Sequence, residues 1–276
     1  MKRSFDAPKV WMQRLFSIIR RAAHGFAHDG CTFLAQALAF NAIFALFPLA
    51  VLILSAISLV IPDADRRTLL FLGTLAPTLH DFIVANLRTY IYGRGISSLI
   101  ALAVLLWSGK NLFMGVTLAL DRALGVPVGR PFMNHLALSL VMLPISGLLL
   151  IVAVGLPVLF AIFMQIARIP DWANMTHVAA YVVSILLVFS VSLVMYALLP
   201  NRRVSLRFAL PGAAFVAIAW PVVQYAFAQY TLHVNFTRIY GVLSAPLALL
   251  LWFYIIAAIF LYGAELCGVR DRSAGT

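Results

Sequence analysis

Charge is scarce in this chain, and negative charge is scarcest. Of 276 residues only 11% are Asp, Glu, Lys or Arg, and 9 residues in all are acidic. A water-facing globular domain carries about 25% charged residues, so a soluble fold is excluded. Cysteine is almost missing as well: Cys31 and Cys267 are the only two, and they form no CxxC pair. That excludes a disulfide framework and a zinc knuckle. The six histidines, at positions 24, 28, 80, 135, 177 and 233, are scattered along the chain. A metal-dependent phosphodiesterase needs several clustered ligands to hold metal and activate water, so that chemistry has no footing in the sequence. GxSxG, HExxH, P-loop and GxGxxG motifs are all absent. With no nucleophile elbow, zinc helix or phosphate cradle, no enzyme class is indicated and no cofactor is expected.

What the chain does have is apolar length. Hydrophobic residues make up 63%, and the mean hydropathy is +1.01. At about 20 residues per transmembrane helix, this amounts to six or seven spans with short connections. The pattern predicts six, at about 34–61, 96–119, 136–166, 178–199, 206–230 and 241–266, each bounded by charges, Asn or Pro. The expected fold is all-α and polytopic: a basic N-terminal segment (1–33), a six-helix membrane domain (34–266) and a short tail (267–276).

Lys and Arg outnumber Asp and Glu by 20 to 9, and their distribution sets the orientation. Lys2, Arg3, Lys9, Arg14, Arg20, Arg21, Arg122, Arg130, Arg202, Arg203, Arg207, Arg270 and Arg272 fall on one side of the six-span scheme. Arg66, Arg67, Arg88, Arg94, Arg168 and Arg238 fall on the other. The positive-inside bias therefore predicts both termini in the cytoplasm. Such an excess of base suits anionic lipid headgroups rather than nucleic acid. A homo-oligomer or an envelope-protein partner is left open.

Two segments are patterned but do not span. Residues 9–27 set Trp11, Leu15, Ile18, Ile19, Ala22 and Phe26 at helical spacing, with Arg14, Ser17, Arg20, Arg21 and His24 elsewhere around the helix. This predicts an amphipathic helix lying on the cytoplasmic leaflet. Residues 66–91 repeat the pattern around Pro77 with Asp81, Asn86 and Arg88 interrupting it, as expected of an external interfacial segment. Asp63 and Asp65, which read as a DxD pair, are better explained as a solvated turn and cap. His24, His28 and Cys31 fall on one helical face, but no clear fourth ligand accompanies them, so no metal is expected.

Within the spans, polar residues are few and therefore informative. Lys110 sits well inside the second span, where a charge costs about 3 kcal/mol unless it snorkels or pairs. Glu265, near the end of the sixth span at similar depth, is the expected partner, with Asp121 a weaker candidate about 16 Å along the axis from Lys110. Gln36, Asn41 and Asn111 extend this into a candidate polar seam. Small pairs at Ala35/Ala39, Gly115/Ala119 and Ala213/Ala217 mark candidate close helix contacts. Pro48, Pro144, Pro157, Pro211, Pro221 and Pro246 each remove a backbone donor inside a span and predict kinks.

The longest block, from Tyr230 through TLHVNFTRIYGVLSAPLALLLWFYIIAAIFLYGAEL to Cys267, closely resembles the C-terminal signature of the YihY/BrkB family of bacterial inner-membrane proteins. Tyr240, Gly241, Trp252, Gly263, Ala264 and Glu265 carry the match. Phe47 and Pro48 in the first span, Trp107 and Asp121 in the second, and Pro211-Gly212 in the fifth are similar to the same family's pattern. Asn41 departs from it, since an aromatic residue is usual there. The resemblance implies a six-helix inner-membrane fold. Some members have carried a ribonuclease label and others a virulence label; the residues support no ribonuclease. Kinked spans, a basic rim and a polar seam instead lead to the expectation of a protein that handles a lipid or envelope amphiphile. A non-transporting structural or assembly protein is the competing class, and a membrane enzyme comes third.

Overall fold

The computed structural model describes residues 7–60, 96–126, 175–201, 204–234 and 240–274. Among these residues the structure is entirely helical: α1 (Ala7–His28), α2 (Cys31–Val60), α3 (Ile96–Ala123), α4 (Met175–Leu198), α5 (Leu206–His233) and α6 (Ser244–Ala274). A 3-10 turn over Gly241–Leu243 leads into α6. The expected third span, 136–166, and the external segment, 66–91, lie outside the described residues, as do Asp63 and Asp65.

Helix ends follow local chemistry. Gly30 (φ 68°) breaks the chain between α1 and α2, so the first membrane helix begins at Cys31, three residues before the apolar run. α3 outlasts its expected end at Ala119 and closes in a Schellman motif around Gly125 (φ 65°). There the Val126 N–H donates to the Asp121 carbonyl at 2.8 Å and the Gly125 N–H to the Arg122 carbonyl at 3.0 Å. Gly241 (φ 54°) supplies the left-handed step before α6. α6 then continues to Ala274 because its polar tail contains no Gly or Pro between 269 and 274.

Among the described residues four helical stretches are long and apolar enough to cross a membrane: Leu102–Ala123, Tyr181–Leu198, Leu206–Thr231 and Pro246–Val269. Many of their large side chains point outward, as with Trp107 on α3, Leu186 on α4, and Ile218, Val222 and Tyr225 on α5. At the helix contacts small residues lie beside a few large buried ones such as Leu120, Tyr196, Leu199 and Leu261. Ala35 and Ala39 of α2, Ala119 of α3, Ala213 and Ala217 of α5, and Ala264 of α6 are all buried. Every small pair singled out in the sequence has its alanines buried in this way, and Leu38 of α2 lies against Gly115 of α3. An apolar exterior and small residues at helix contacts are what lipid selects, because close backbone packing replaces the hydrophobic effect as the force between helices.

α6 is the hub of the bundle: it packs on α2 and α5 along much of its length, and α1 lies against its C-terminal half. α2 pairs with α3, and α4 with α5. The tightest joint is where α5 crosses α6. A Cβ on Gly212 would collide with the Gly263 carbonyl and the Cys267 sulfur, and a Cβ on Gly263 would collide with the Tyr196 hydroxyl. The Tyr196 hydroxyl donates to the Phe260 carbonyl at 2.6 Å, and its ring stacks on Phe260 with centroids 4.7 Å apart. Helices α4, α5 and α6 are thereby tied at one level. Further along, Trp252 of α6 packs between Trp220 and Phe227 of α5.

Candidate functional site

Cys31 opens α2 beside Glu265, Cys267 donates to the Ala209 carbonyl at the start of α5, and Asn201 follows α4 beside Asp121 of α3. These links gather the start of α2, the end of α3, the end of α4, the start of α5 and the C-terminal half of α6 at one end of the bundle. Two carboxylates, both fully buried, lie there.

Asp121 is one of them. The Asn201 backbone N–H donates to its Oδ1 at 2.8 Å, and the Asn201 Nδ2 donates to its Oδ2. Gripped at both oxygens, the carboxylate fastens the end of α3 to the segment between α4 and α5. Asn201 Oδ1 is itself buried and accepts no hydrogen bond among the described residues. Glu265, the only glutamate in the chain, is the other. The Cys31 thiol donates toward its Oε1 at 3.7 Å, and a Cβ on Gly25 would lie 2.5 Å from its Oε2. Glu265 therefore fills the corner where α1 turns into α2, and Gly25 is what makes room for it.

Lys110 and Glu265 are not brought together. Lys110 is half-buried on α3 and makes no ion pair with Glu265; among the described residues the ion pair present is His28 Nδ1 with Asp29 Oδ1, at 3.0 Å. The physical reason is depth: Glu265 and Asp121 lie at the end of the bundle where α2 begins and α3 ends, and Lys110 is eleven residues, about 16 Å, back along α3 from Asp121. α6 packs chiefly on α2, α5 and α1 and only marginally on α3, so the face of α6 bearing Glu265 turns toward Gly25 and Cys31. Asp121 likewise answers to Asn201 rather than to Lys110. Of the remaining seam residues, Asn41 is half-buried with its Nδ2 near Gly115, Asn111 is half-buried on α3, and Gln36 is exposed.

His24, His28 and Cys31 also diverge. The two imidazoles are exposed and stacked on each other with centroids 6.4 Å apart, while Cys31 is buried against Glu265. Among the described residues no group of three or more His, Cys, Asp or Glu is placed to hold a metal ion.

The residues that carried the sequence resemblance divide into two sets. Gly212, Gly263 and Ala264 meet at the α5–α6 crossing, with Pro211 half-buried beside it, and Glu265 follows directly. Trp107 is 60% exposed, and Tyr240 and Gly241 are exposed before α6. Trp252 is half-buried in its aromatic cluster. Position 48 is helical within α2; the side chains of Phe47 and Pro48 lie outside the described residues.

Two residues of the site were not singled out in the sequence. Tyr196 had a readable signal, since a phenol inside a span must hydrogen-bond within the protein. Asn201 had a weaker one: the first amide after a span, next to Pro200, is well placed to satisfy a helix end.

An all-helical bundle with lipid-facing apolar surfaces and carboxylates recessed at one end defines a polytopic membrane protein. The chain matches the virulence factor BrkB family over residues 22–275, and it belongs to that family. It is 25% identical to the putative ribonuclease-like protein YfkH of Bacillus subtilis, over 87% of this chain and 89% of that one. It is 24% identical to a UPF0761 membrane protein of Pseudoalteromonas atlantica, covering 96% and 90% of the two chains. A UPF0761 membrane protein of Chromohalobacter salexigens is 26% identical over 99% of this chain and 68% of its own length. No solved structure matches the chain.

Proposed function

We propose that the protein handles an amphiphile, a lipid or an envelope precursor with a charged or hydrogen-bonding head, from the cytoplasmic side of a bacterial inner membrane. The observation that carries this reading is the recessed polar layer of Asp121, Asn201 and Glu265 at one end of an otherwise apolar, lipid-facing bundle. A head group is attracted to such a layer while its tails remain along the exposed faces of the helices. Arg20, Arg21, Arg122 and Arg207 are exposed at the same end, and by the positive-inside bias that end belongs in the cytoplasm with both termini. The six-span scheme is part of this reading, with 136–166 as the third span.

The test is transbilayer movement of short-chain fluorescent lipids in proteoliposomes. Protein-dependent flipping of any class that falls on Asp121→Ala supports the proposal. Flipping no faster than in protein-free vesicles, across anionic, zwitterionic and isoprenoid-linked probes, overturns it. Reporter fusions after Asn201 should read as cytoplasmic and those near Asp171 as external; an external reading after Asn201 overturns the orientation.

A second reading, a non-transporting scaffold, is favoured by the glycine crossing of α5 and α6, where Tyr196 locks a third helix in place. Absence of flipping with an intact fold selects it. The name of YfkH mentions ribonuclease, but among the described residues no ligand cluster is assembled for that chemistry. We therefore read the chain as a non-enzyme that does not act on nucleic acid. Nuclease activity that co-purifies through two orthogonal columns and is lost on substitution of any histidine would reverse this.

A further inference from the structure

The sequence pattern sends Ile18, Ile19, Ala22 and Phe26 to the membrane as one apolar stripe, and the structure splits that stripe. Ala22 is fully buried against Leu266 and Val269 of α6, with Ile18 packed beside it. Phe26 meets the Tyr262 ring at 6.1 Å, and the Tyr262 hydroxyl donates to the Ile19 carbonyl at 3.1 Å. These contacts run from Ile18 to Phe26 on α1 and from Tyr262 to Val269 on α6, so the two helices pack together over about two turns. The best apolar side of α1 is thus spent on protein.

What remains outward is sorted a second time. With about 3.6 residues per turn, Phe16, Ile19, Ala23 and Ala27 fall on one flank of the uncovered surface. Arg20, Arg21, His24 and His28 fall on the other. All eight are exposed, Phe16 by 68% and Ile19 by 50%. Between Ala7 and His28 the helix contains no acidic residue; the nearest carboxylate, Asp29 just after it, is half-buried and paired with His28 at 3.0 Å, away from Arg20 and Arg21, and Asp121 and Glu265 are buried. A docked helix has no need of a second amphipathic division unless another surface meets it.

We propose that α1 is a fixed interfacial clamp whose outer surface is occupied by the anionic leaflet of the bilayer. Phe16, Ile19 and Ala23 enter the acyl boundary, and Arg20 and Arg21 hold lipid phosphates. This rests on the orientation given above but not on transport. It differs from a freely floating amphipathic helix because Ala22, Gly25 and Tyr262 set the angle at which the arginines meet the headgroups. Charge complementarity is the argument for lipid over protein: phosphate is the dense negative charge available next to a membrane-embedded bundle.

The experiment places an environment-sensitive fluorophore at Ala23→Cys or at His24→Cys in the full-length protein; the two native cysteines are buried. Each labelled protein is reconstituted in nanodiscs with acyl-brominated phosphatidylglycerol or acyl-brominated phosphatidylcholine. Quenching at position 23 is expected to exceed that at 24 several-fold, because adjacent residues lie on opposite flanks. In mixed discs where only one lipid is brominated, quenching at 23 should favour phosphatidylglycerol by about twofold or more. That preference should disappear in Arg20→Gln/Arg21→Gln. Equal quenching at 23 and 24, no quenching at either, or a preference that survives the double substitution overturns the clamp. Quenching as expected in a protein that does not flip lipid keeps the clamp and removes the transport reading, so the two fail separately.

Discussion

Glycine does opposite work at two joints of α6. At the α5 crossing, Gly212 faces the Gly263 carbonyl, which is main chain and cannot withdraw without moving a whole helix. At the α1 joint, Gly25 faces the tip of the Glu265 side chain, which ends in rotatable bonds. One glycine permits a rigid contact and the other accommodates a mobile group. One end of the bundle therefore holds a stiff joint and a yielding one two residues apart on α6, although both look alike as glycines at helix contacts.

The difference is most exposed by adding one methyl group at each joint. Gly212→Ala and Gly263→Ala should each destabilise by about 2 kcal/mol or more, through overpacking, even though alanine is intrinsically the better helix former. Thermal unfolding in detergent reads this directly; a neutral or stabilising Gly212→Ala would show that the crossing is looser than described. Next in size is the Asp121–Asn201 clasp. Either Asp121→Ala or Asn201→Ala should cost about 1–3 kcal/mol, and the double variant should cost less than the sum, since each single change strands a buried polar partner. Gly25→Ala should cost under about 1 kcal/mol, because the carboxylate can swing aside. An effect as large as that of Gly212→Ala would mean that Glu265 is held as firmly as backbone. The smallest expected effect is the coupling between Lys110→Met and Glu265→Gln: the two should add to within about 0.5 kcal/mol, as for residues that share no contact. A larger coupling would bring the two charges together after all.

The helices themselves were legible because hydropathy along one dimension suffices for them. α3 and α5 begin at the expected residues, 96 and 206, and the alanine pairs chosen by spacing proved buried. How the helices align with one another was not legible. Counting residues within each span put Lys110 and Glu265 at similar depth, but α3 runs on to Ala123 and α6 to Ala274, which sets Glu265 level with the end of α3 and leaves Lys110 farther into the bundle. The stripe on α1 failed for a different reason, since lipid and a neighbouring helix demand the same apolar spacing and only coordinates separate them. The motif residues were legible as a set, while their cause, a backbone contact between Gly212 and Gly263, required the fold.

The hydrogen bond from Tyr262 to Ile19 joins residues 243 positions apart, so it also orders events in time. A ribosome completes α1 long before α6, and among the described residues the surface around Ala22 and Gly25 gains its α6 partners, Tyr262 to Val269, only after α5 with Phe215 has been made. Each nascent chain must carry that surface through the insertion of the later spans without its α6 partners, and a chain released before residue 262 never acquires the joint. Closure of α1 onto α6 is thus a late event in which Ile19, Ala22, Gly25 and Phe26 find their partners together.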